Sequence, residues 1–211
     1  MTGEDVLAIF EDCAAVLRNG HFVYTSGRHG AVYVNKDAIY ARPIVVAQLC
    51  DALAEQFLTT DVDIVAGPAI GGVVLAHCVA RALTASGIYV RNPKHTGEML
   101  AVYAEQVDGA FVFKRGYDRI VRDQHVLIVE DVITTGGTVS EVVRAVCRVG
   151  GLPVGIGCLC NRGGVAAVYG VPVRSLCELP LESYAAAECP LCVLGVPIST
   201  TVGKGSADHV R

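Results

Sequence analysis

Two adjacent acids, Glu130 and Asp131, are followed within a few residues by Thr134, Thr135, Gly136, Gly137 and Thr138. An apolar run, Val126 to Val129, leads into them, and a helix-forming run, Val139 to Val149, comes after. The acids and the loop therefore fall at the carboxyl end of a buried strand. In open α/β sheets that edge is where ligands bind, and a helix starting there presents unpaired N–H groups and the positive end of its dipole. A phosphate suits such a loop. The three threonines add hydroxyl donors, and Gly136 and Gly137 let the backbone approach an anion with no Cβ in the way. Carboxylates on the strand side accept hydrogen bonds from vicinal hydroxyls, which points to a ribose 5-phosphate. The same residues also fit an ordinary strand-to-helix turn with a threonine cap and acids at a sheet edge. The lysine-bearing Walker loop and the Gly-x-Gly-x-x-Gly fingerprint are both missing here, which disfavours the common nucleotide folds.

Other segments carry chemistry at the same predicted edge. Gly67-Pro68-Ala69-Ile70-Gly71-Gly72 follows a buried strand and precedes a helix, a second candidate anion loop, although such turns are common without a ligand. Arg162 follows the strand after the phosphate-loop helix, and its planar fork matches a carboxylate bidentately. Lys114, Arg115, Arg119 and Arg122 form the densest basic run, suited to a visiting anion or to a solvated edge. Ser26-Gly27-Arg28-His29, with Lys36 shortly after, reads as a polar turn carrying two cations. Cys189 and Cys192 have the spacing of half a zinc site, but no second Cys or His pair stands at ligand spacing. Cys158, Cys160 or Cys177 would have to join from strands, so a zinc site is not expected.

The elements that must position these residues alternate. Apolar spacing predicts a helix over Val6 to Leu17, stopped by Asn19-Gly20, then two β-prone runs, Phe22 to Ser26 and Ala31 to Asn35, as a hairpin outside the main sheet. Pro43 suits the first turn of a helix over Ile44 to Phe57. Strands are predicted at Val62 to Ala66, Ile88 to Val90, Leu100 to Ala104, Ala110 to Lys114, Val126 to Val129, Val154 to Leu159 and Val171 to Leu176, with a helix at Val73 to Leu83. The result is an α/β domain with a mostly parallel twisted sheet flanked by helices. The tail from Thr200 to Arg211 has no periodicity and is expected to be mobile.

At 211 residues, 52% hydrophobic and 18% charged, the chain fits one domain. A net charge of −4 gives no broad basic face for nucleic acid, so small anions fit better than polymers. No apolar run is long enough to cross a membrane and the start lacks a secretory pattern, so a cytoplasmic protein is expected. Nine cysteines, an odd number, read as reduced and mostly buried thiols.

The stretch Val129 to Thr138 resembles the phosphoribosyl pyrophosphate signature of type I phosphoribosyltransferases. Nearly the whole chain is similar to orotate phosphoribosyltransferases, including a bacterial branch with a Pro-Ala-Ile-Gly-Gly loop and a Cys-Pro-Leu-Cys tail. The resemblance implies transfer of a phosphoribosyl group to orotate with Mg2+, by a homodimer, in pyrimidine biosynthesis. It assigns the sugar phosphate to Glu130, Asp131 and Thr134 to Thr138, and the pyrophosphate to Ala69, Ile70 and Gly71. It gives the base to Arg28, Lys36 and Arg162. Lys114 and Arg115 fall, with Asp131, in the catalytic roles, by position in a region that is a mobile basic loop in the family. A hood over the base would come from residues 1–40 and parts of the C-terminal region. Many members carry a lysine before Ser-Gly and another in the pyrophosphate loop; here Thr25 and Ile70-Gly71 stand in those places. Transfer to another base, or a regulator that binds phosphoribosyl pyrophosphate or a nucleotide without turnover, are the alternatives.

Overall fold

The computed structural model describes residues 1–24, 26–87 and 97–203; Thr25, the predicted strand at Ile88 to Val90 and most of the predicted tail lie outside them. The chain divides into two compact units, one of Leu7–Pro43 with the chain from Pro180, the other of Met1–Val6 with Ile44–Leu179.

Helix α1 (Gly3–Asp12) begins where the Thr2 hydroxyl accepts the Asp5 N–H and the Asp5 carboxylate accepts the Thr2 N–H, a reciprocal cap. It stops before the predicted end. Ala14 takes a φ of 53°, and the Ala15 carbonyl accepts the Asn35 N–H at 2.7 Å. Val16 and Leu17 are thereby drawn into strand β1 (Val16–Leu17), antiparallel to β4 (Tyr33–Val34), while β2 (Phe22–Val23) pairs with β3 (His29–Gly30). The two β-prone runs thus do not pair as the expected single hairpin; each finds a different partner. Helix α2 (Lys36–Tyr40) follows.

Next along the chain is α3 (Pro43–Glu55), whose first residue needs no N–H partner. Then come β5 (Ile64–Pro68), α4 (Gly71–Ala85), β6 (Leu100–Val107), β7 (Ala110–Val112), α5 (Tyr117–Val121), β8 (His125–Ile133), α6 (Gly137–Arg148), β9 (Leu152–Asn161), β10 (Ala167–Val168) and β11 (Val171–Glu178). One seven-stranded sheet results, in the order β10-β11-β9-β8-β5-β6-β7. The five strands β11, β9, β8, β5 and β6 run parallel, and β10 and β7 close the edges antiparallel. This is the expected mostly parallel architecture. Continuous apolar strands at its centre are covered on both faces. On one face α6 buries Val139, Val142, Val143 and Val146 against Ile128 and Ile156. On the other, Phe57 and Leu53 fill space left by β9 glycines: a Cβ on Gly155 would stand 2.8 Å from the Phe57 ring, and one on Gly157 3.0 Å. At the amino edge the Asp63 N–H donates to the His125 carbonyl and the Asp63 carboxylate accepts the His125 N–H, each at 2.8 Å, fixing where β5 and β8 begin.

In the smaller unit the chain beyond Pro180 forms helix α7 (Pro190–Val193). No helix of the described residues is long and apolar enough to cross a membrane. All nine cysteines are free, and six are buried.

Candidate functional site

Strand β8 runs beyond its apolar stretch, through both acids to Ile133, because β9 pairs with it that far: Glu130 opposite Cys158 and Ile133 opposite Asn161. Glu130 and Asp131 are consequently buried, 7% and 4% exposed. As neighbours on an extended strand they face opposite sides of the sheet. Glu130 lines an open cleft of about 240 Å³ together with Val132 and the loop from Ile133 to Val139; Asp131 does not line it. Cys158 beside Glu130 has its thiol pushed well above the ordinary range, first by burial and then by the Glu178, Cys177, Glu130 and Asp131 charges. It stays protonated and adds no negative charge next to the acids.

The loop leaves its donors uncommitted. Gly136 caps α6 with a φ of 78°, and no side chain caps the helix, so the threonine cap that would make this an ordinary turn is missing. Among the described residues the amides of Thr134 to Thr138 donate to no protein acceptor. Thr134, Thr135 and Thr138 are exposed at the cleft. Free N–H groups, hydroxyls and a helix dipole thus converge at the carboxyl end of β8.

The end of β9 supports this loop from the side. The Arg162 N–H donates to the Ile133 carbonyl at 2.7 Å, placing Arg162 next to the start of the phosphate loop. Gly163 passes so close that a Cβ there would lie 1.6 Å from the Thr134 oxygen. Asn161, 4% exposed, holds the turn: its side-chain oxygen accepts the Val165 N–H, and its amide donates to the Val165 carbonyl and the Glu178 carboxylate. Sequence reading gave Asn161 and Gly163 no part. The only signal was their place beside Arg162 at a strand end.

The second glycine loop lies at the end of β5. A Cβ on Gly67 would meet the Gly72 oxygen at 2.2 Å, so only glycine lets β5 turn this tightly into α4. The Ala69–Ile70 peptide is cis. The Ala69 N–H donates to the Ala104 carbonyl at 2.8 Å, which removes that amide from the expected pyrophosphate contacts; Ile70 stands exposed at the tip, before Gly71 opens α4. Lys114 and Arg115 follow β7, level with the carboxyl end of the sheet. There Glu105 takes both, Arg115 at 2.9 Å and Lys114 at 4.0 Å. In place of a long loop between β6 and β7 there is a two-residue turn, Asp108-Gly109, with φ of 49° and 83°. Arg28 and Lys36 belong to the smaller unit, where the Arg28 guanidinium donates to the Ser183 hydroxyl at 2.9 Å and to the Ser183 carbonyl, and Lys36 opens α2.

A parallel sheet whose central strand ends in an acid pair and a cap-free threonine and glycine loop is the architecture of the phosphoribosyltransferase class. The sequence profile of the phosphoribosyl transferase domain matches residues 35–169. Orotate phosphoribosyltransferase of Caldanaerobacter subterraneus is 38% identical over 94% of this chain and 96% of its own, and that of Pelotomaculum thermopropionicum 38% over 93% and 95%. The chain belongs to the orotate phosphoribosyltransferase family. A crystal structure of the Mycobacterium tuberculosis orotate phosphoribosyltransferase in complex with inorganic phosphate shares the fold, with a TM-score of 0.61 at 24% identity over 84% of this chain and 97% of that one.

Magnesium is the metal the family implies. Among the described residues, groups of three or more metal-ligating side chains lie elsewhere, and the only carboxylate lining the cleft is that of Glu130. Such a donor set fits an ion that takes most of its oxygens from substrate and water, as magnesium does.

Proposed function

We propose that the chain transfers the 5-phosphoribosyl group from phosphoribosyl pyrophosphate to orotate, giving orotidine 5′-phosphate and pyrophosphate. The observation that carries the reading is the set of unpartnered amides from Thr134 to Thr138, with Glu130 below them and Arg162 alongside. The amides and threonine hydroxyls bind the 5-phosphate, and Glu130 accepts hydrogen bonds from the ribose hydroxyls, with Asp131 in a supporting role from the neighbouring position. As the bond from C1 to pyrophosphate breaks, a deprotonated ring nitrogen of the base bonds to C1, and positive charge develops on the sugar. A buried carboxylate beneath the ribose stabilises that charge more in the transition state than in the ground state. Magnesium would supply charge neutralisation of the departing pyrophosphate.

Arg162 is assigned to the carboxylate of orotate, the group that uracil lacks. Arg28 and Lys36 are further base contacts on chemical grounds. Ile70 and Gly71 are assigned to the pyrophosphate, without the Ala69 amide. Lys114 and Arg115 reach it only on leaving Glu105. A homodimer is the proposed assembly, checked by sedimentation.

The test is loss of orotate absorbance with phosphoribosyl pyrophosphate and magnesium, with uracil and purine bases competing in the same assay. Consumption of orotate in preference to the other bases is expected. Binding of phosphoribosyl pyrophosphate without turnover, or preference for another base, contradicts the proposal.

A further inference from the structure

Four side chains of the smaller unit converge without any part in the chemistry above. One atom from each of His21, His29, Cys189 and Cys192 lies within 4.8 Å of the other three. His21 directly precedes β2, His29 opens β3, Cys189 caps α7 and Cys192 lies within it. Sequence spacing offered Cys189 and Cys192 no second pair; the fold supplies it from the β2–β3 hairpin, 168 residues separating His21 from Cys189.

We propose that these four side chains form a structural zinc site that ties α7 to the β2–β3 hairpin. With Zn–S near 2.3 Å and Zn–N near 2.0–2.1 Å, a tetrahedral site sets sulfur to nitrogen at about 3.6 Å and nitrogen to nitrogen at about 3.3 Å. The Cys189 and Cys192 sulfurs lie 3.8 and 3.7 Å from His21 Nε2, and the Cys192 sulfur lies 3.4 Å from His29 Nδ1. These match. His21 Nε2 and His29 Nδ1 are 2.8 Å apart, a hydrogen bond that must open by about half an ångström as an ion enters.

The tautomers agree with that role. His21 Nδ1 is 2.7 Å from the Val196 carbonyl, which can only accept, so the proton sits on Nδ1 and the Nε2 lone pair faces the cluster. Metal binding moves the His29 proton from Nδ1 to Nε2, and the two thiols release theirs to solvent. Two sulfurs and two imidazoles are the donor set of zinc among divalent metals, and four protein ligands leave no open position for catalysis. His21, His29 and Cys189 are buried, at 2%, 7% and 0% exposed, while Cys192 is exposed and offers a way in. A unit whose strands are two residues long has little sheet to hold it, which is where a metal staple contributes most.

The full chain, purified under reductant without chelator, is analysed for metal by mass spectrometry. One zinc per chain is expected. Zinc content should fall about tenfold or more in Cys189→Ser and His29→Ala. It should be unchanged in Cys147→Ser, an exposed thiol outside the cluster. Because those variants can fail to fold, the wild type is also exchanged with Co2+, which should give a thiolate charge-transfer band and tetrahedral ligand-field absorption. A wild-type chain that carries no zinc and does not hold added zinc or cobalt against a chelating indicator overturns the proposal. So does a Cys189–Cys192 disulfide persisting under reductant. Neither readout depends on orotate turnover, so this inference and the proposed reaction fail separately.

Discussion

Replacing Gly163 by alanine tests whether the turn after β9 sets the position of the phosphate loop. The new Cβ would stand 1.6 Å from the Thr134 oxygen and 2.8 Å from its carbonyl carbon. Real Cβ contacts essentially never fall under 3.0 Å, so the two backbones must part by about 1.4 Å. That movement is passed to the amides that follow Thr134, and a misplacement of about 1 Å is worth about 10²-fold in rate. At 1.36 kcal/mol per decade the loss is about 2.7 kcal/mol of transition-state stabilisation. Steady-state kinetics with phosphoribosyl pyrophosphate varied at saturating orotate should show kcat/KM down about a hundredfold, with KM for the phosphoribosyl donor raised. Gly164→Asn is the control: φ there is 62°, which asparagine tolerates, and nothing lies within 4 Å of the added Cβ. It should leave the kinetics nearly unchanged. A folded Gly163→Ala chain with wild-type KM and kcat would refute the reasoning.

The double variant Glu130→Gln with Asp131→Asn should lose about 10² to 10³ in kcat while its circular dichroism spectrum stays native, and full activity would remove the acids from the mechanism. Arg162→Lys keeps the charge but loses the planar fork, so KM for orotate should rise about tenfold or more while KM for phosphoribosyl pyrophosphate holds, as measured by varying each substrate in turn. Phe57→Ala leaves a cavity against Gly155 and Gly157. It should lower the unfolding free energy by about 3–5 kcal/mol in denaturant titration.

The central β8–α6–β9 unit was legible in the sequence because its strands are unbroken apolar runs and its helix has a clear apolar stripe. The position of the glycine and threonine loop could be read for the same reason: its residues are contiguous and stand where a strand must hand over to a helix. What escaped depends on contacts between distant residues. Val16 and Leu17 continue the spacing of α1, yet join β1 because Tyr33 and Val34 pair with them. Commitment of the Ala69 amide to Ala104 is set by the register of β5 against β6, which no local pattern encodes. Gly163 reads as a loop glycine until its distance to Thr134 is known. Opposite facing of Glu130 and Asp131 follows from how far β8 remains paired, and the apolar run alone ended at Val129, before either acid.

The most direct test is amide-resolved NMR of the labelled chain during titration with ribose 5-phosphate. Large, saturable downfield shifts confined to the N–H groups from Thr134 to Thr138 are predicted, with ribose, which carries no phosphate, leaving them unmoved. Unmoved resonances in that loop, with ribose 5-phosphate bound elsewhere, would contradict the proposed site.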